Sequence, residues 1–271
     1  MSLPLCAMPE TDQIIAIPTF NRRVEVAACL TCLAAAEGLE KWRVVLRDDC
    51  STEYDIADLL GNVPFAVTVL RNETNLGCDG NTVALLKHCI EQNAQRVLLL
   101  DSDMIVSSDA LAFADKNLAR TDGVLSLYNS VLHLEAEVVD AALVRKKSIG
   151  GAATVWDATL LKEMLESLDG PDCWDWRFCD RAHAEQIRLF VARESRAQHI
   201  GVEGTNSLRF GELEFGAGFH IETMEQANAI AVAYEKLMLS QEYFRPKKKR
   251  SMLARWRRSI IKRLPKKRPP A

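Results

Sequence analysis

The sequence predicts an α/β fold, a mostly parallel sheet with helices on both faces. Three observations carry this. Strand-like and helix-like segments alternate over the first 120 residues. Four apolar residues, 97–100, run straight into Asp101 and Asp103. Each of the first four strand-like runs ends on polar or charged groups. Alternation at this spacing indicates parallel strands joined by helical crossovers, and ligands bind such sheets outside the carboxyl ends of the strands.

In chain order, QIIAIP (13–18) is a β-branched run ending at Pro18, and 22–38 has helical character and stops at Gly38. WRVVLRDD (42–49) is strand-like, 53–61 a short helix closed by Gly61, and FAVTVLR (65–71) a strand. Residues 80–93 read as a helix, RVLLLD (96–101) as a strand, and 108–119 as a helix with Ser108 as N-cap. The second half is less regular. Residues 122–130 and 148–157 look like strands, and 157–170 is a helix capped by Asp157 and followed by Gly170. Residues 174–186 read as a helix, 187–193 as a strand and 222–244 as a long helix.

The 271 residues are 48% apolar and 26% charged, enough for a substantial core in a globular chain. No apolar run reaches the roughly 18 residues of a membrane helix. The N-terminal MSLPLCAMPETDQ lacks a basic region followed by an apolar one, so no secretion signal is expected. Eight scattered cysteines in such a chain are expected as reduced thiols, and Cys29-Leu-Thr-Cys32 as packing residues of a helix. The net charge of −3 hides an asymmetry: residues 245–271 hold 13 basic residues and no acidic one, leaving 21 basic against 37 acidic elsewhere, a net −16. In the tail, Leu253, Trp256, Ile260 and Leu264 recur at helical spacing between Arg and Lys. This predicts a basic amphipathic helix lying in an anionic membrane surface. The plain alternatives are a solvated tail or a nucleic-acid contact, and nucleic acid fits poorly with so acidic a body.

Asp101 and Asp103 carry the chemistry. Two carboxylates one residue apart project to one side of an extended chain, where each opposes the other's charge. A divalent cation resolves this. Mg2+ or Mn2+ takes hard oxygen ligands and completes its shell with phosphate oxygens and water. Capping of the following loop is the plain alternative.

IIAIPTFNR, VVLRDDCST, NLGCDGN and VLLLDSD, in this order and spacing over roughly residues 13–110, resemble inverting family 2 glycosyltransferases of the GT-A fold. The resemblance implies that Pro18, Thr19 and Asn21 belong to the turn that holds the nucleoside. Thr19 and Asp49, with Asp48 as close competitor, would bind base and ribose, and Arg71 would lie near the base. Asn75 and Gly77 would shape the loop before the third helix. Asp101, Ser102 and Asp103 would hold the diphosphate, Asp101 and Asp103 through Mn2+ or Mg2+. Cys50 departs from the glycine usual after the paired aspartates.

The family also carries an aspartate followed six residues later by arginine, with a histidine downstream. Asp175, Arg181 and His199 have that arrangement. Asp175, with Asp180 as alternative, would take the proton of an acceptor hydroxyl, and His199 would contact the diphosphate or the metal. Trp174, Trp176 and Phe178 stack on sugars or belong to the core; the polar loop 204–207 would close over the donor. The implied organisation is a GT-A domain over 1–244, with 13–120 for the nucleotide sugar and 121–244 for acceptor and catalysis, plus the tail. The implied donor is a nucleotide sugar, UDP-linked most commonly; the basic tail alone points to a cell-envelope or lipid-linked saccharide acceptor at the inner face of a membrane. The alternative is an inactive relative acting as a membrane-bound scaffold.

Other enzyme classes fit less well. A haloacid-dehalogenase-type phosphatase wants its Asp-x-Asp on the first strand and Thr or Val two residues beyond the second aspartate, where Ile105 stands. Dinucleotide-dependent oxidoreductases want a Gly-rich turn after the first strand, and sugar nucleotidyltransferases a Gly-rich basic loop there. PTFNRR is neither.

Overall fold

The computed structural model describes residues 11–133, 136–202 and 213–239. The strands are β1 (Gln13–Thr19), β2 (Arg43–Asp48), β3 (Val67–Arg71), β4 (Arg96–Leu99), β5 (Met104–Val106), β6 (Val124–Ser126), β7 (Glu137–Val138), β8 (Leu143–Lys146), β9 (Thr154–Asp157), β10 (Leu189–Ala192) and β11 (Ala197–His199). The helices are α1 (Arg23–Ala34), α2 (Ile56–Leu60), α3 (Gly77–Glu91), α4 (Ala110–Asn117), α5 (Ala158–Glu166), α6 (Trp174–Ala184) and α7 (Met224–Leu239). Nine strands form one sheet in the order β3-β2-β1-β4-β9-β6-β10-β8-β7, and β5 and β11 pair as a separate ribbon. The pairings β1–β2, β2–β3, β1–β4 and β6–β10 are parallel; β9 and β8 run against the other seven strands. The α/β architecture with a mostly parallel sheet is therefore present.

Strands β1, β2 and β4 form because both their faces are buried, whereas β3 is the half-exposed edge of the sheet. In β1, Ile15 and Ile17 enter one core with Val26, Leu30 and Leu33 of α1, while Ile14 and Ala16 enter the other with Val83, Leu85 and Leu86 of α3. Alternate side chains point to opposite faces, so a strand covered on both sides reads as a continuous apolar run. Helix α1 is apolar nearly all round for a related reason. Cys29 packs in the sheet-facing core, whereas Cys32 packs against Ile230 and Ala233 of α7 in a third cluster that includes Ile105 and Ile200. Both thiols are buried and free; burial, then the Glu225 charge, pushes Cys32 up to about 12, and burial, then the Cys32 charge, also raises Cys29. They stay protonated and serve packing.

Several boundaries differ from the sequence reading. Strand β4 ends at Leu99, and Asp101 and Asp103 stand in the turn before β5 rather than on an extended strand, with Met104 N donating to Asp101 O at 2.9 Å. Ser108 is not the cap of α4. The N-cap is Asp109, without a side-chain cap bond, because its Oδ1 accepts from Ser107 Oγ at 2.7 Å. Helix α1 stops at Ala34, and Gly38, with φ 86°, instead opens a single 3-10 turn. Asp157 does cap α5, its Oδ1 accepting from Thr159 N at 2.9 Å, and Gly61 caps α2. The strands expected over 122–130 and 148–157 shrink to β6 and β9, and β5, β7, β8 and β11 lie where no strand was expected. The tail 245–271 and the loop 204–207 lie outside the described residues. Among the described residues, no helix is long and apolar enough to cross a membrane.

Helix α7 is tied to α1 by an ion pair. Lys236 Nζ stands 2.6 Å from Glu25 Oε1, with the side chains 29% and 5% exposed. Lys236→Met would strand a buried carboxylate whose other oxygen, Oε2, already lacks a partner. It is expected to lower the unfolding free energy by about 3 kcal/mol, read from the urea midpoint, and Glu25→Gln in the same chain should restore most of it.

Candidate active site

The carboxyl ends of β1, β2 and β3 lie side by side, with Thr19 opposite Asp48 and Asp48 opposite Arg71. Here the two adjacent aspartates separate. Asp48 turns inward. Ser51 N donates to Asp48 Oδ2 at 3.1 Å, Arg71 Nη1 is 3.2 Å from the same oxygen, and Arg71 Nη2 donates to Ser51 O at 2.8 Å. Asp49 binds the start of α3. Its Oδ1 accepts from Asn72 Nδ2 at 2.7 Å and Leu76 N at 2.8 Å, and its Oδ2 from Gly77 N at 2.9 Å. Asn75 supports that turn through Gly77 N, at 2.9 Å from Asn75 Oδ1, and through Asp49 O, at 3.3 Å from its Nδ2. A carboxylate has about four acceptor positions, so Asp49 keeps little free capacity while it positions the helix. Gly77 has φ 77°, a conformation glycine adopts without strain. Cys50 takes φ 65°, which explains why glycine suits this position. Its cost is of order 1 kcal/mol.

The turn after β1 is left-handed at two residues, Asn21 (φ 53°) and Arg22 (φ 57°). It is held by the loop after β2. Asn21 N donates to Ser51 Oγ at 2.7 Å, and Asn21 Oδ1 accepts from Thr52 N at 2.9 Å. The ribbon supplies the far wall. His199 pairs with Met104 across β11 and β5, and Ile200 N donates to Asp103 O at 2.9 Å.

These elements enclose a cavity of about 320 Å³ lined by Pro18, Thr19, Phe20, Arg22, Asp49, Asn75, Gly77, Cys78, Asn81, Thr82, Asp101, Ser102, Asp103 and His199. Of the residues singled out in the sequence, it gathers Pro18, Thr19, Asp49, Asn75, Gly77, Asp101, Ser102, Asp103 and His199. It does not gather Asn21, Asp48 or Arg71, which brace the loops behind it. Sequence reasoning assigned no role to Phe20, Arg22, Cys78, Asn81 or Thr82. Arg22 stood in the quoted IIAIPTFNR, but only the backbone turn brings it here.

The acidic pair is electrostatically divided. Burial, and next the Asp103 charge, pushes the Asp101 carboxyl up to about 7. Burial also acts on Asp103, but the charge and hydrogen bond of His199, followed by the Arg22 guanidinium, outweigh it and hold Asp103 well below the usual carboxylate range. Burial lowers His199, yet Asp103, by charge and hydrogen bond, overcomes this and raises it. His199 Nε2 lies 3.3 Å from Asp103 Oδ2, and Arg22 Nη1 pairs with the same oxygen. Burial and the surrounding aspartates push Cys78 up to about 12, so its thiol is no nucleophile here.

The two carboxylates supply hard oxygen donors of the kind that Mg2+ or Mn2+ takes. Among the described residues, no three His, Cys, Asp or Glu side chains stand so that they could hold a metal ion by themselves.

Asp175 lies in the first turn of α6. Asp79 of α3 fixes that helix start, its Oδ2 accepting from Cys173 N at 2.8 Å. Asp175 is half-buried and outside the cavity lining, but its charge reaches the cavity and contributes to the rise of Asp101. Burial raises the Asp175 carboxyl, partly offset by the hydrogen bond from Trp176 N at 2.9 Å. Asp180 is exposed, and Arg181 pairs with Glu185 and Glu163 on the surface of the helix. Trp174 and Phe178 are buried with Trp156, whereas Trp176 is 58% exposed and stands 6.2 Å from the His133 ring.

Residues 14–123 match the family described as Glycosyl transferase family 2. That segment belongs to glycosyltransferase family 2. A Haemophilus influenzae protein described as an uncharacterized glycosyltransferase is 40% identical over 63 residues. The match spans 23% of this chain and only about a fifth, 20%, of that protein. Staphylococcus aureus TarS 1–349, solved in complex with UDP-GlcNAc, aligns with a TM-score of 0.55 at 18% identity, over 84% of this chain and 67% of its own. The mannosyltransferase PcManGT from Pyrobaculum calidifontis, solved with GDP-Man and Mn2+, aligns with a TM-score of 0.52 at 16% identity, over 87% and 73%. The family 2 segment thus sits in a chain with the GT-A fold.

Proposed function

We propose that the chain is a metal-dependent, inverting glycosyltransferase. It would move a sugar from a nucleoside diphosphate donor to a hydroxyl of a glycan, either a cell-envelope polymer or a lipid-linked saccharide. The observation that carries this reading is the convergence of Asp101, Asp103 and His199 in the strand-end cavity, with Asp175 close enough to act on Asp101 electrostatically. TarS and PcManGT, which share the fold, were solved with UDP-GlcNAc and with GDP-Man and Mn2+; both are consistent with such a donor.

In this reading 13–120 binds the donor and 121–244 the acceptor. Thr19 and Asn75 border the nucleoside, with Phe20 offering an exposed ring face for the base. Asp101, Asp103 and His199 would hold a divalent ion, and such an ion would supply charge neutralisation for the leaving diphosphate. Asp175 accepts the hydroxyl proton as the acceptor oxygen bonds to the anomeric carbon. The bond from that carbon to the diphosphate breaks on the opposite face, which inverts the centre. Trp176, exposed in the turn that carries Asp175, offers a ring face to an acceptor sugar. The basic segment 245–271 anchors the enzyme to an anionic membrane surface on the cytoplasmic side.

A thermal-shift screen of UDP-, GDP-, dTDP- and CMP-sugars with and without Mn2+ tests the donor. At a hundred times its Kd a true donor adds about 2.7 kcal/mol, which raises Tm by roughly 5–10 °C in a domain this size. Asp103→Ala is expected to remove the Mn2+-dependent part of that shift. Absence of any shift with every nucleotide sugar would overturn the proposal. Slow metal-dependent donor hydrolysis without acceptor would distinguish an enzyme from an inactive scaffold.

A further inference from the structure

Arg22 stands where the sequence assigned no role, and its placement is built. The Asn21–Arg22 turn is left-handed at both residues, and four contacts hold it to the loop after β2. These are Asn21 N to Ser51 Oγ (2.7 Å), Thr52 N and Glu53 N to Asn21 Oδ1 (2.9 and 3.3 Å), and Arg22 N to Glu53 Oε2 (3.2 Å). A left-handed pair of non-glycine residues is costly and persists only where its surroundings enforce it. What the turn achieves is to bring the Arg22 guanidinium onto Asp103 Oδ2, 81 residues away in sequence. That oxygen is already crowded. His199 Nε2 is 3.3 Å from it, and the Gly201 backbone packs so closely that a Cβ there would lie 2.8 Å from Asp103 Cγ.

We propose that Arg22 is an internal counter-cation which competes with the divalent ion for Asp103 and makes metal uptake depend on the nucleotide diphosphate. The inference rests on the donor-site reading given above. An ion that ligates Oδ2 meets the guanidinium already paired with that oxygen, beside the Gly201 backbone. Arg22 lines the same cavity and its side chain is 33% exposed. A diphosphate entering the cavity offers that guanidinium a bidentate anionic partner. The nucleotide therefore releases Asp103 to the metal, and by thermodynamic reciprocity the metal tightens the nucleotide by the same factor. A metal ion alone meets a carboxylate that is already paired and binds weakly.

The test is a Mn2+ titration of the full chain followed by electron paramagnetic resonance, with and without UDP or GDP. Arg22→Gln is expected to bind Mn2+ alone at least tenfold more tightly than the wild type. It should also lose most of the enhancement that the nucleotide gives the wild type. Arg22→Lys, which keeps the charge, should restore weak binding of the metal alone, and circular dichroism confirms that both variants fold. Equal or weaker binding of Mn2+ alone by Arg22→Gln overturns the proposal, as does an Arg22→Lys chain that binds as tightly as Arg22→Gln. If the wild type takes up Mn2+ with a nucleotide but Arg22→Gln matches it in every condition, only the role of Arg22 is lost. If neither takes up Mn2+ with any nucleotide, the donor-site reading falls and this inference with it.

Discussion

Gly201→Ala is expected to abolish metal-dependent donor binding and reduce transfer by about two orders of magnitude or more. A Cβ at this position would penetrate Asp103 Oδ2 and stand 2.8 Å from Asp103 Cγ and 3.0 Å from His199 Nε2. The chain has two ways to relieve that overlap. The Asp103 carboxylate can rotate away, but then the acidic pair and the histidine no longer converge, and a misplacement of about 1 Å at such a site can cost a hundredfold in rate. Alternatively, the β5–β11 ribbon can open, but Ile200 N donates to Asp103 O, and Ile105 and Ile200 pack under α7. Opening it exposes that cluster and lowers stability. A Mn2+ titration beside a thermal melt separates the two routes. The first leaves Tm nearly unchanged and removes metal binding, whereas the second lowers Tm as well. An alanine variant with wild-type metal affinity and wild-type Tm would show that the backbone at 201 does not shape the site.

The residues involved show what the sequence could and could not convey. Strands β1, β2 and β4 were legible because burial on both faces writes itself as an apolar run, and the polar groups that end each run marked the cavity's rim. The ribbon was not legible. Strands β5 and β11 are three residues each and pair across about 90 residues, so neither carries a periodic signal. Yet that pairing is what sets His199 beside Asp103. Arg22 was hidden for another reason, because its direction comes from two backbone dihedrals and not from its residue type. The adjacent Asp48 and Asp49 looked interchangeable in the sequence. Strand geometry separates them, sending one inward to Ser51 and Arg71 and the other to the start of α3. In the second half, β8 (LVRK) is two buried apolar residues followed by two half-buried charged ones, pairing antiparallel at the sheet's far side, so it carries neither a long apolar run nor a clean alternation.

Asp175→Asn should leave donor binding intact and lower transfer by about a thousandfold, within the range general-base catalysis supplies. Asparagine keeps the shape and can still accept from Trp176 N, but it cannot take a proton from a hydroxyl. The pH profile of the wild type should carry the same residue's mark. Burial raises the Asp175 carboxyl above its ordinary 3.8, so the acid limb of kcat/KM should sit above that value and disappear in the asparagine variant. Stability should move in the opposite sense to activity. With its folded pKa above the unfolded one, the folded chain holds the proton more tightly, so the contribution of Asp175 to stability is complete below pH 3.8 and is lost as pH rises through the folded value. At neutral pH the wild type therefore carries a half-buried charge at some cost, and Asp175→Asn should melt at the same temperature or higher. A residue held for catalysis at the expense of stability behaves in this way, whereas a solvated surface aspartate changes neither rate nor Tm. Full transfer by Asp175→Asn, or a comparable loss in Asp180→Asn alone, would move the base to the exposed side of α6.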